Sequence, residues 1–152
     1  SRRMSAAANG VPATTSADAV GRGLRALGVK RIALVSPYSV EASARAKRYF
    51  SRRHGLEVVV VEGFAATDAY AIGNLGPKMA RDAFVRVDRP EIDAFVVPGA
   101  NFPTMASISE WEREFKKPVV TSTQAALWAM ARQLGGAPLK GYGRLLEQLP
   151  SL

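Results

Sequence analysis

Cysteine is entirely absent from this chain of 152 residues. Its absence excludes disulfide bonds, zinc sites built from thiolates and any thiol nucleophile contributed by this polypeptide. Histidine is nearly absent as well, because His54 is the only one. The sequence places His54 at the end of an exposed basic helix without a partner nearby, so we expect no metal binding or acid–base catalysis from it. Without it, no Ser-His-Asp set can be assembled.

Long apolar runs are also missing. No stretch approaches the ~20 apolar residues that a membrane-spanning helix needs. The first four residues are not followed by an apolar segment that could serve as a secretory signal. We therefore expect a cytoplasmic protein that has no membrane partner.

The formal net charge of +8 raises the question of nucleic-acid binding. Arg45, Arg48 and Arg52 are spaced so that they share one helical face. A nucleic-acid surface should also carry interleaved aromatic residues or a known reading motif, and the sequence has neither. The pattern favours a solvated outer helix face and predicts no nucleic-acid partner. The charge remains compatible with attraction of anionic substrates.

Short runs of β-branched residues alternate with longer helical segments. The predicted strands are 31–36, 57–61, 92–97 and 118–121. The predicted helices are 16–27, 40–54, 77–87, 104–115 and 125–134, with a loop at 62–76. Because the strands lack polar alternation, they should be buried on both faces between helices, as parallel strands are. The predicted fold class is α/β, with a doubly wound four-stranded parallel sheet.

The N-terminal ten residues are predicted to differ from the rest. Residues 1–8 are typical of the last turns of a helix, and Asn9-Gly10 is a typical helix stop. Residues 1–10 are therefore interpreted as the end of a preceding helix in a longer protein, or alternatively as a leader. Residues 11–152 are predicted to form a single α/β lobe.

Small and polar residues follow the predicted strands at their carboxyl ends, where open α/β sheets bind ligands. The candidates for substrate binding are Tyr38, Ser39, Gly99, Ala100, Asn101, Ser122 and Thr123. Three of the four strand ends lead to a helix N-terminus, and the fourth reaches one through the 62–76 loop, so free N–H groups should favour an anion there. Such a rim suits the carboxylate of a small organic acid and suits a metal poorly. Ser39 and Ser122 could equally be helix caps, and Tyr38 could be ordinary packing.

Four segments together resemble the second lobe of maleate cis-trans isomerases and arylmalonate decarboxylases, in the aspartate/glutamate racemase superfamily. They are Val11–Ser16, Gly28–Tyr38, Lys117–Thr123 and Gly141–Leu145, and the resemblance covers nearly the whole chain. It implies a flavodoxin-like lobe that is one half of a two-lobed enzyme, with the first lobe missing from this chain. It also implies an active site between the lobes that needs no cofactor or metal. The sequence leaves open whether the chain forms a homo-oligomer.

The resemblance also implies roles for particular residues. Tyr38 falls on the tyrosine that the family uses to hold a substrate carboxylate. Gly99 occupies the position of the second-lobe catalytic cysteine, and Ala69 stands where isomerases often have asparagine. Two groups expected in the family are thus absent, which argues against a two-thiol racemase. A cysteine restored by Gly99→Cys is expected from the sequence to raise isomerase or racemase activity.

Two hypotheses follow from this pattern. The first is an isomerase-like or decarboxylase-like enzyme that acts on a small carboxylic or dicarboxylic acid with one thiol from the first lobe. The second is a non-catalytic relative that binds a carboxylate or serves as a structural partner. Both predict a carboxylate near Tyr38, Gly99 and Ser122.

Overall fold

The computed structural model describes residues 2–149 and contains a sheet of four parallel strands flanked by helices. The strands are β1 (Arg31–Ser36), β2 (Glu57–Gly63), β3 (Ala94–Val97) and β4 (Val119–Thr121). The helices are α1 (Arg2–Ala7), α2 (Ser16–Ala26), α3 (Val40–His54), α4 (Ala69–Gly73), α5 (Pro77–Val87), α6 (Ile108–Phe115), α7 (Ser122–Leu134) and α8 (Arg144–Glu147), and a 3-10 turn at Met105–Ser107 leads into α6. Among the helices of residues 2–149, none is long and apolar enough to cross a membrane.

The strand order is β2-β1-β3-β4. The chain leaves β1 toward β2 on one side and later returns to place β3 on the other side of β1. The connections that follow β1 and β3 therefore diverge at the carboxyl ends of these two strands. Such a switch point opens a crevice, and ligands of open α/β sheets bind there.

Side chains of β1 alternate between two hydrophobic cores. Ile32 and Leu34 belong to a core that also contains buried residues of α2, α3 and α7. Ala33 and Val35 belong to a second core with residues of α5 and α6. All four side chains are fully buried. Helices on both faces of an all-parallel sheet confirm the predicted doubly wound α/β architecture.

Several predicted helix boundaries are confirmed. Helix α3 spans Val40–His54, capped by Ser39 at its start and by Gly55 at its end. Helix α5 begins at Pro77, which is suited to the first helical position. At the N-terminus, α1 is followed by Asn9 and Gly10, both with positive φ, as a helix stop requires.

Other boundaries differ from the predictions. Strand β2 extends to Gly63, and β3 begins at Ala94 rather than at residue 92. The predicted loop at 62–76 contains the short helix α4, which starts because Asp68 accepts a hydrogen bond from the Ala71 N–H. Helix α7 begins at Ser122 instead of residue 125, because Thr121 and Gln124 form a capping box.

The prediction that His54 is exposed is wrong. Its side chain is 1% exposed, and its Nε2 lies 3.6 Å from Asp18 Oδ1 on α2. The ring packs where α2 carries Gly21, since a Cβ at Gly21 would lie 2.3 Å from His54 Cγ. Burial lowers the pKa of His54, although the Asp18 carboxylate opposes this shift. His54 is therefore a neutral packing residue that joins α3 to α2.

The C-terminal tail is anchored by a buried carboxylate that the sequence did not reveal. Glu112 accepts hydrogen bonds from the N–H groups of Val119 (2.9 Å) and Arg144 (2.8 Å). Burial raises the pKa of Glu112, and the two backbone donors oppose that rise.

Two further hydrogen bonds hold the tail. The Gln124 amide donates to the Tyr142 carbonyl at 2.7 Å, and the Gly143 N–H donates to Ser109 Oγ at 3.0 Å. The Gly141–Leu145 segment thus has a structural role in this chain.

Candidate active site at the carboxyl ends of the strands

The sequence-predicted site residues that follow β1 and β3 meet at the switch point of the sheet. A Cβ placed on Gly99 would lie 3.6 Å from the Tyr38 hydroxyl oxygen. Ser122, which follows β4, reaches the same spot because its Oγ accepts a hydrogen bond from the Gly99 N–H at 3.1 Å. Three segments far apart in sequence therefore place a phenol, a hydroxyl and a glycine backbone together.

Tyr38 is half-buried at this point of the fold. Burial raises the pKa of its phenol above the usual value of 10.0. The hydroxyl therefore keeps its proton at neutral pH and is available as a hydrogen-bond donor. A protonated phenol can donate a hydrogen bond to an anionic ligand.

Gly99 has a backbone conformation that other residues rarely adopt. Its φ is +104°, and a Cβ at this position would lie 2.9 Å from Pro37 Cγ. Both features disfavour any side chain here. The loop conformation at Gly99 is therefore suited to glycine, and a side chain here would have to displace Pro37.

Backbone N–H groups after Gly99 provide further donors. The turn is closed by the Phe102 N–H, which donates to the Gly99 carbonyl at 3.2 Å. Within residues 2–149, the N–H groups of Ala100 and Asn101 have no protein acceptor, and both residues are exposed. Successive free N–H groups in a turn form a concavity that favours anions.

The two predicted helix caps prove to be different. Ser39 does cap α3, since its Oγ accepts from the Ala42 N–H at 3.2 Å. Ser122 does not cap α7, because Thr121 fills that role. The Ser122 Oγ accepts from the Gly99 N–H, and its own proton has no acceptor among residues 2–149. It lies at a helix N-terminus, which favours negative charge. Thr123 is exposed in the same first turn.

The loop that carries Ala69 borders the site. Ala69 is exposed at the start of α4. At the end of this helix, a Cβ on Gly73 would lie 4.0 Å from the Asn101 carbonyl oxygen. Ala69 is therefore on a segment next to Asn101, and its side chain offers only a methyl group.

A cavity of about 250 Å³ adjoins the site between α2 and α3. Tyr38, Pro98 and Ser122 line one part of it, and Val20, Ala46 and Phe50 line the apolar part. The sequence did not identify this cavity, because it depends on how two helices pack over the strand ends. Among residues 2–149, no three Asp, Glu or His side chains are grouped so that they could share a metal ion.

A lobe built on a four-stranded parallel sheet with flanking helices is the form found in the aspartate/glutamate racemase superfamily. The sequence pattern that defines the family described as arylmalonate decarboxylase matches residues 1–146. The chain belongs to the arylmalonate decarboxylase family.

Individual relatives agree with this assignment. The arylmalonate decarboxylase of Bordetella bronchiseptica is 31% identical over 150 residues, which cover 93% of this chain and 60% of the relative. The maleate isomerase Iso of Pseudomonas putida S16, in a structure with maleate, has a TM-score of 0.83 and 30% identity, covering 88% of this chain and 54% of that one. A further solved relative is a maleate cis-trans isomerase of Nocardia farcinica, in a cysteine-to-serine variant with a covalently bound succinylcysteine intermediate. Its TM-score is 0.83 and its identity is 29%, and the match covers 88% of this chain and 55% of that one. The chain thus spans little more than half the length of these relatives.

Proposed function

We propose that this chain forms one wall of the active-site cleft of a cofactor-independent isomerase or decarboxylase that acts on a small carboxylic or dicarboxylic acid. In this proposal residues 11–152 are the second lobe, and a first lobe supplies the opposite wall. The observation that carries it is the meeting of the Tyr38 hydroxyl with the Gly99–Ser122 contact at the switch point. The relatives named above act on acids of this class, and the chain's coverage of little more than half their length supports a single lobe.

The site is suited to binding a carboxylate and to stabilising the negative charge of the enolate that forms from it during the reaction. The Tyr38 and Ser122 hydroxyls each have a proton to donate, and the N–H groups of Ala100 and Asn101 add two more donors. When a bond to the carbon beside the carboxylate breaks, negative charge moves onto the carboxylate oxygens as an enolate. Fixed donors aimed at these oxygens stabilise that charge without reorganisation.

A thiol of this chain cannot carry out the proton transfer, because its 152 residues contain no cysteine. We propose that one thiol of the first lobe supplies it. In decarboxylation of a malonate, the C–C bond breaks, CO₂ leaves and the electron pair remains as the enolate. The thiol S–H then protonates that carbon, and solvent reprotonates the thiolate. A single thiol therefore suffices, whereas two-sided racemisation would need a second acid–base group.

A second candidate function is carboxylate binding without catalysis. The observation that favours it is the lack of any cysteine in the chain, together with a glycine loop at Gly99 that disfavours one. The same donors would then hold a small acid, and no proton would be exchanged.

Steady-state kinetics of the complete protein with phenylmalonate and maleate test this proposal. We expect Tyr38→Phe to lower kcat/KM by roughly 100-fold, as loss of one donor to a developing oxyanion does. Alkylation of the protein thiols with iodoacetamide should abolish turnover. Tyr142→Phe, in the C-terminal tail, is the matched control and should behave like the unmodified protein.

Each alternative result has a definite meaning. Turnover that survives complete alkylation contradicts the single-thiol mechanism. Binding of maleate without turnover of either acid supports the non-catalytic function. Equal kcat/KM values for Tyr38→Phe and Tyr142→Phe would show that Tyr38 is not part of the site.

A further inference from the structure

Two buried serine hydroxyls lie directly behind Tyr38, and the carboxylate site does not account for them. Ser36 ends β1 and is fully buried, while Ser43 lies near the start of α3 and is 4% exposed. The Ser43 hydroxyl donates a hydrogen bond to Ser36 Oγ at 2.8 Å. Buried hydroxyls need partners, so this pair is a specific arrangement and not a surface detail.

Both hydroxyls contact the backbone of Tyr38. The Tyr38 N–H donates to Ser36 Oγ at 3.3 Å. The Ser43 Oγ also lies 3.3 Å from the Tyr38 carbonyl oxygen, so its single proton is shared between that oxygen and Ser36 Oγ. The peptide groups on either side of the Tyr38 Cα are therefore both tied to the serine pair. This attachment, together with the Ala66 N–H that donates to the Pro37 carbonyl at 2.9 Å, holds the Tyr38 backbone in place.

The same turn also contacts Gly99. Pro37 stands between Ser36 and Tyr38 in sequence, and its Cγ lies 2.9 Å from the point where a Gly99 Cβ would be. The turn is thus held by the serine pair on one side and packed against the Gly99 loop on the other. A shift of the turn would change the separation between the Tyr38 hydroxyl and the Gly99–Ser122 contact.

We propose that Ser36 and Ser43 are positioning residues that fix the Tyr38 hydroxyl toward Gly99 and Ser122, where it receives the substrate carboxylate. This inference rests on the proposed role of Tyr38 as a carboxylate ligand. Neither serine touches the ligand, so their contribution passes through the Tyr38 backbone. A small displacement of such a group lowers affinity strongly, because the donors must converge on one anion.

The test uses the complete protein labelled with ¹³Cζ-tyrosine. The chain has four tyrosines, and Tyr38→Phe identifies the Tyr38 resonance by its disappearance. We expect Ser43→Ala to shift that resonance and to weaken maleate binding roughly tenfold, while the Tyr70 and Tyr142 resonances stay in place. Ser36→Ala is a second variant, because it removes the acceptor that Tyr38 and Ser43 share.

Ser109→Ala is the matched control, since it too removes a serine hydroxyl that accepts a backbone N–H, from Gly143. It should lower the unfolding free energy but leave the Tyr38 resonance and the maleate Kd unchanged. If Ser36→Ala and Ser43→Ala behave like Ser109→Ala in both readouts, the pair only ties β1 to α3 and the inference is wrong. If Tyr38→Phe itself leaves maleate binding unchanged, the proposed function fails, while the Tyr38 resonance still shows whether the serines position the ring.

Discussion

Gly143→Ala is expected to lower the free energy of unfolding by about 3–5 kcal/mol, from overpacking and from an unfavourable backbone angle together. The added Cβ would lie 2.4 Å from Ile108 Cγ2 and 2.7 Å from Gln124 Nε2. The backbone angle φ of Gly143 is +89°, which also opposes a side chain. Ile108 is fully buried in one of the two hydrophobic cores, so it has little room to move. Urea denaturation monitored by circular dichroism measures the change.

Gly141→Ala provides the matched control for this prediction. Gly141 lies in the same tail with φ of +85°, but a Cβ there would meet nothing within 4 Å. It should therefore show the cost of the backbone angle alone, about 1–2 kcal/mol. Equal losses for the two variants would contradict the packing of the tail against Glu112 and Gln124.

Gly99→Cys is expected to lower the free energy of unfolding by about 2–4 kcal/mol and to weaken carboxylate binding. The φ of +104° and the 2.9 Å approach to Pro37 Cγ both oppose a side chain. A Cβ would also occupy the space beside the Tyr38 hydroxyl, where the carboxylate is proposed to bind. We therefore expect no gain in racemase or isomerase activity from this substitution, in contrast to the expectation from sequence.

A double-mutant cycle separates the two expected causes of the lower unfolding free energy, which are the backbone angle of Gly99 and the contact with Pro37. Pro37→Ala removes the atom that a Gly99 side chain would meet, but it leaves the backbone angle unchanged. Gly99→Ala should therefore cost less in the Pro37→Ala background than in the unmodified protein. Gly28→Ala, with φ of +73° and open space around it, reports the cost of the angle alone. Full additivity between the substitutions at residues 37 and 99 would show that the two residues are not in contact.

Most of the fold could be predicted from sequence because its signals are local. Runs of β-branched residues marked the four strands, and Ser39 and Gly55 marked both ends of α3. Boundaries that depend on one side-chain hydrogen bond were missed. The start of α7 was placed three residues late, because the capping role of Thr121 was not apparent from its position after an apolar run.

The failures concern contacts between distant segments. His54 looked exposed because it follows a run of basic residues, and nothing local shows that Gly21 on α2 makes room for its ring. The resemblance implies that Gly99 stands at the position of a cysteine, but its backbone angle and its contact with Pro37 are properties of the folded loop. Ser36 and Ser43 cannot be recognised from sequence, since a serine that ends a strand and one inside a helix give no indication of a shared partner.

We expect a small acid to bind where β1 and β3 diverge, between the Tyr38 phenol and the N-terminus of α7. NMR mapping of maleate binding to the complete isotope-labelled protein tests it most directly. We expect saturable shifts of the Tyr38 ring and of the Gly99, Ala100, Asn101 and Ser122 amides, with smaller changes elsewhere. Shifts confined to the basic helix at Arg45–Arg53, with Tyr38 and Ser122 unmoved, would contradict it.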